Sequence, residues 1–118
     1  MTLKTALDQV FQTEDNQLLD DDVINGRMFE IIRRLSSDEA YALIDEAVQY
    51  LLNAQDSNVI YHTIQLISSL YGISGTTELT ELFEARQSYI DRYVERYGDK
   101  ACNDALKMLK RDLNIAKI

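Results

Sequence analysis

Proline is absent from this 118-residue chain, and glycine occurs only four times. With so little to interrupt a backbone, helix ends must be set by those glycines, by side-chain caps and by polar clusters. Cysteine occurs once, at Cys102, which excludes an internal disulfide and makes a cytoplasmic setting the simplest expectation. No apolar run approaches the roughly 20 residues needed to cross a bilayer. The opening MTLKTALDQVFQTED lacks the basic stretch followed by an apolar block that marks an export signal. The motifs of catalysis are missing as well: there is no HExxH, CxxC, Walker loop, GxGxxG or GxSxG.

What remains is an ordinary globular composition, 46% apolar and 27% charged. The length suits one domain, residues 1–118, burying roughly two-thirds of its unfolded surface. Net charge is −8, and its location is more informative than its size. Residues 1–59 hold 12 acidic and 4 basic side chains, whereas residues 60–118 hold 8 of each. An acidic surface repels nucleic acid and anionic membranes and attracts basic partners. Acidity also keeps small proteins soluble, but its confinement to one half favours a binding face.

Apolar periodicity predicts about six helices and no strand, an all-α fold in antiparallel pairs. Residues 2–11 carry Leu3, Ala6, Leu7, Val10 and Phe11 at spacings of three and four, with Thr2 as a cap. Residues 12–22 read as an acidic loop around Leu18 and Leu19. Residues 23–35 form a second helix, preceded by carboxylates that suit its positive end, with Gly26 inside it allowing a close helix approach. Ser36 and Glu39 fit a capping box for a third helix reaching Ala54. Residues 56–72, DSNVIYHTIQLISSLYG, follow after only Gln55 and are the organising stretch. Asp56 or Ser57 caps this fourth helix and Gly72 is placed to stop it. Two helices joined so tightly fold back on each other. ISGTT is then a turn, Thr76 or Thr77 opens one long helix to Tyr97, Gly98 ends it, and Asp99 caps a last helix.

Candidate chemistry is sparse. Asp20, Asp22 and Asn25-Gly26 resemble part of a calcium loop, but Ile31 occupies the twelfth position, where a bidentate glutamate belongs. His62, the single histidine, sits beside an apolar stripe, and Cys102 lies on a buried register. Both read as structural residues. Carboxylate pairs such as Asp45 and Glu46 have no evident catalytic partner. The expectation is a protein that is not an enzyme and uses no cofactor or metal. Tyr89, Tyr93 and Tyr97 recur every fourth residue with Arg86, Arg92 and Arg96 nearby, a composition of interface hot spots and equally of a helix edge at the core boundary.

The stretch DSNVIYHTIQLISSLYG resembles the second helix of a HEAT-type repeat. Asp56 matches the turn acid, Val59 the next apolar position, and Ile64, Ile67, Leu70 and Gly72 the packed helix and its stop. Ile60 stands where such repeats carry arginine. This likeness implies a HEAT-like bundle or short solenoid. In size, acidity and tandem helices the whole chain resembles the small all-helical immunity proteins of bacterial toxin–immunity systems, including contact-dependent growth inhibition. That resemblance implies a protein that neutralises a cognate toxin domain, often a basic nuclease, by occluding its active site, without binding nucleic acid or membrane itself. Glu14, Asp15, Asp20, Asp21 and Asp22 would then mimic nucleic-acid phosphates, with Asp38, Asp45 and Glu46 extending the face. The alternative is a helical adaptor that binds a protein partner through Tyr89, Tyr93, Tyr97 and Arg86.

Overall fold

The computed structural model describes residues 2–12 and 20–114. Seven helices follow one another among them: α1 (Leu3–Val10), α2 (Asp21–Ile32), α3 (Ser37–Leu51), α4 (Ser57–Ser74), α5 (Glu81–Ala85), α6 (Gln87–Tyr97) and α7 (Lys100–Asp112). No strand occurs among the described residues. The smallest extent is 20 Å, which is two helix layers.

The α3–α4 hairpin is the centre. Its first helix starts at the expected capping box, with the Glu39 amide donating to Ser36 Oγ at 3.2 Å and the Ser36 amide to Glu39 Oε1 at 2.9 Å. The turn closes through Asn53 and Ala54, whose amides bond the carbonyls of Tyr50 and Leu51. Asp56 then caps α4 through the Asn58 amide at 2.8 Å. α4 is buried on most of its circumference, from Ile60 and Thr63 to Leu70 and Tyr71. A helix apolar nearly all round must be covered on several sides. α3, α2, α6 and α7 supply that cover. The Thr63 hydroxyl, deep in this surface, donates to the Val59 carbonyl at 2.7 Å.

α4 does not stop at Gly72. It continues to Ser74, and Gly75, at φ 74°, takes the left-handed cap with its amide on the Tyr71 carbonyl. A glycine stops a helix in this way by adopting the left-handed conformation, and Gly75 does so one turn later. Gly26 likewise departs from expectation. A Cβ built there meets nothing within 4 Å, so no helix approaches it closely.

The expected long helix over residues 76–97 is three pieces. Residues 76–80 are not helical, and hydroxyls capture several of their amides. Thr76 Oγ1 accepts from Glu78, and Tyr71 Oη accepts from Thr80. Such side-chain bonds offer the backbone an alternative to the helix. Thr80, itself buried, caps α5 through the Phe83 amide. Arg86, at φ −111° and ψ 12°, breaks α5 from α6.

α6 and α7 meet at Gly98, which ends α6 as expected, and at Asp99, whose carboxylate caps α7 through the Cys102 amide at 3.0 Å. The Lys110 ammonium lies 2.6 Å from the Asp91 carboxylate and ties the two helices. One core cluster runs through α1 to α7, with Leu7, Ile24, Ile44, Ile60, Phe83 and Val94 among its most enclosed members.

Candidate protein-binding surface

The predicted acidic residues fall in separate places. Glu14 and Asp15 lie outside the described residues. Asp20, Asp21 and Asp22 are all exposed at the start of α2, where two of them have local work. Asp20 caps the helix, accepting from the Val23 amide at 2.9 Å. Asp21 Oδ1 accepts from His62 Nε2 at 3.0 Å, and the His62 ring is buried between α2 and α4 against Tyr61 and Phe11. His62 is thus a structural residue holding α2 to α4. Asp22 is exposed and has no hydrogen bond or ion pair among the described residues.

On α3 the acids divide between two sides. Asp45 is half-buried beside Tyr41 and Tyr71, and its Oδ1 is enclosed with no partner among the described residues. Burial first, with the charges of Glu78 and Asp45 behind it, pushes the Tyr41 hydroxyl up. Tyr41 in turn donates to the Glu78 carbonyl at 3.3 Å. Asp38 is exposed near the start of the helix. Glu46 faces elsewhere, into a groove of about 440 Å³ bounded by α1, the end of α3 and the start of α4.

That groove unites residues whose pairing sequence spacing hides. Asp8 of α1 reaches it, bonded by Lys4 Nζ at 2.8 Å and by the Tyr50 hydroxyl at 2.8 Å. The Lys4 bond, then that of Tyr50, holds the Asp8 carboxyl below the usual carboxylate range. Burial and the Asp8 carboxylate push the Tyr50 hydroxyl up. Asp56 also lines it. The sequence marked Asp56 only as a cap and turn acid and did not single out Asp8. Their convergence on Glu46 follows from the packing of α1 on α3.

The tyrosine row is only partly open. Tyr93 is buried, and its hydroxyl donates to the Ala54 carbonyl at 2.6 Å, pinning α6 to the α3–α4 turn. Its ring lies 4.7 Å from that of Tyr97 and 6.1 Å from that of Tyr89. Burial, then its two tyrosine neighbours, raises the Tyr93 pKa. Tyr89 is 45% exposed, Arg86 is exposed, and the Arg96 guanidinium sits 5.4 Å from the Tyr97 ring centroid. Tyr89 and Arg86 therefore form the open part of this candidate.

Arg27 was missed altogether. Its guanidinium crosses from α2 to the free end of α1 and donates to the carbonyls of Val10 at 2.8 Å and Gln12 at 2.9 Å. α1 has no basic residue in its own last turn, so a cation from the next helix satisfies its negative end. Cys102 is buried, its thiol donating to the Ser57 carbonyl at 3.1 Å, and burial pushes that thiol up to about 11. Among the described residues no three or more metal-ligating side chains come together, and no helix is long and apolar enough to cross a membrane. Compared with protein-family models, with curated proteins and with solved structures, the chain matches none.

Proposed function

We propose that this chain is a non-catalytic, stoichiometric binder of a basic protein in the cytoplasm, in the manner of the immunity proteins it resembles, masking the active site of a toxin domain such as a nuclease. The supporting observation is the excess of acid in its first half. Of the described acids there, only Asp8 and Glu30 pair with a lysine or arginine. Asp22, Asp38 and Glu46 are exposed without an ion-pair partner among the described residues. Unpaired surface charge steers a basic partner and speeds association more than it adds affinity. Asp20, Asp21 and Asp45 are weaker tests of binding, because each is tied to a local or inward-facing role.

The test is capture from an extract of the native host with tagged protein at low and moderate salt. The expected result is one basic protein, released by salt and toxic when expressed alone. Its affinity should fall when Asp22, Asp38 and Glu46 are changed together to lysine, and its salt dependence should flatten. Asp22 and Asp38 lie in the first turns of α2 and α3, where lysine opposes the positive helix end, so the urea midpoint of the triple variant is measured beside its affinity to separate binding from folding. Undiminished affinity in the triple variant would remove the acidic surface from the account.

The adaptor reading keeps one specific observation in its favour, the exposed Tyr89 beside Arg86. It requires Tyr89→Ala to weaken capture more than the triple reversal does.

A further inference from the structure

We infer that the groove between α1 and the α3–α4 turn receives an arginine side chain of the partner, a refinement that rests on the binding function proposed above. Its volume of about 440 Å³ lies within the roughly 300–1,000 Å³ usual for ligand pockets. Ala54, Val59 and the ring of Tyr50 supply apolar wall. Asp8, Glu46 and Asp56 supply carboxylates. An apolar wall beside acid suits a side chain with an alkyl stem and a cationic head.

The charge balance sets the sign of the occupant. Lys4 lies 2.8 Å from Asp8 and neutralises it. Glu46 and Asp56 have no lysine or arginine partner among the described residues. The groove also holds the end of α3 and the start of α4, which carry roughly −0.5 and +0.5 charge and so largely cancel. Two negative charges remain, and they favour a cation.

Donor geometry favours arginine over lysine. A guanidinium offers five N–H donors in a planar fork, whereas an ammonium is a compact point charge. Besides the carboxylates, the groove presents the side-chain amides of Gln49, Asn53 and Gln55. Asn53 spends its nitrogen on the Gln49 carbonyl at 2.8 Å, which leaves its oxygen to accept. A rim of acceptors on two helices and their turn fits a fork better than a point.

The experiment is a titration of the ¹⁵N-labelled protein with N-acetyl-arginine amide, followed by amide chemical shifts. N-acetyl-citrulline amide, the uncharged isostere, and N-acetyl-lysine amide are the comparison probes. Shifts should cluster on residues 46–59, weaken about three- to fivefold with each of Glu46→Gln and Asp56→Asn, and vanish with citrulline. Asn at position 56 keeps the helix cap, so that variant changes charge without removing the cap. Shifts scattered over the surface, indifferent to both substitutions, or equal for citrulline would overturn the inference. Equal binding of the lysine probe would overturn the choice of arginine. A negative titration beside successful capture removes the groove and leaves the binding function. A positive titration beside failed capture does the reverse.

Discussion

Gly98 and Gly72 should respond to the same substitution with opposite signs. Gly98 joins α6 to α7 with φ −93° and ψ 172°, a backbone any residue adopts. The constraint there is space. An added Cβ would sit 2.7 Å from Cys102 Cβ and 2.8 Å from the Val94 carbonyl oxygen. Neither is the end of a flexible side chain, and the Val94 carbonyl already accepts the Gly98 amide at 2.8 Å. Relief requires α6 and α7 to part, against the Lys110–Asp91 ion pair that ties them. Overpacking of this kind costs about 1–3 kcal/mol, offset by the 0.4–1 kcal/mol or so that alanine gains by restricting the unfolded chain. Gly98→Ala should therefore lose about 1–2 kcal/mol. Gly72 lies inside α4 with nothing within 4 Å of an added Cβ, so Gly72→Ala should gain roughly 0.5–1 kcal/mol. Urea unfolding followed by circular dichroism at 222 nm reads both, and melting temperatures should separate by about 10 °C. Adding Cys102→Ala to Gly98→Ala should give no rescue, because the offending Cβ remains. A Gly98→Ala protein as stable as the parent would refute the steric argument.

Arg27→Met keeps the alkyl stem and removes the donors to Val10 and Gln12. It should cost about 1.5–3 kcal/mol in urea unfolding, as loss of charged hydrogen bonds to a helix end does. Leu70→Ala, at a fully enclosed site on α4, should cost about 2–5 kcal/mol in the same assay. Stability should hold a plateau between two pH limbs. Hydrogen bonds from Lys4, Ser36 and Cys102 lower the pKa values of Asp8, Glu39 and Asp99, so the unfolded chain binds more protons in acid, and stability falls below about pH 5. Burial raises the Cys102 thiol from 9.0 to about 11, so its contribution is present below pH 9 and fades as pH rises through 11. Denaturation midpoints against pH check both limbs, and Cys102→Ala should remove the part of the alkaline one that begins near pH 9, leaving the later part owed to the raised hydroxyls of Tyr41, Tyr50, Tyr71 and Tyr93. The same thiol should resist alkylation at pH 8 until the protein is unfolded. Rapid modification of the folded protein would contradict its burial.

Elements written in local chemistry were legible. The capping box at Ser36 and Glu39, the caps at Thr2, Asp56 and Asp99, and the α3–α4 hairpin all depend on residues a few positions apart, and all are found. The misreadings share a physical cause. Leu79, Leu82 and Phe83 keep helical spacing, yet Thr80 loses its amide to the hydroxyl of Tyr71, nine residues back. No periodicity within 76–97 records that competitor. Gly72 carried the sign of a helix stop, but the actual stop depends on which glycine reaches a left-handed φ, and that is Gly75. Arg27 and the groove were illegible for the same reason: Arg27 serves carbonyls 15 and 17 residues away, and Asp8 meets Tyr50 across 42 residues.

These long-range bonds share a location, which bears on how a partner would be met. Tyr50 ties α1 to α3 through Asp8, Tyr93 ties α6 to Ala54, and Cys102 ties α7 to Ser57. All three end within the last turn of α3, the connecting turn or the first turn of α4. The same segment forms the groove wall with Gln49, Asn53 and Asp56. A short helix–helix turn is ordinarily among the less stable parts of a fold. Here three helices hold it from outside, so the groove acids sit on backbone already fixed before any partner arrives. Ordering cost is the main tax on a surface of exposed, rotamer-rich side chains, and a fixed backbone reduces it. Tyr93→Phe, which removes one tether and no charge, should accordingly quicken amide hydrogen exchange at residues 53–57 and weaken N-acetyl-arginine amide binding, though Tyr93 lies outside the groove. Faster exchange with unchanged binding would show that the tethers serve stability alone.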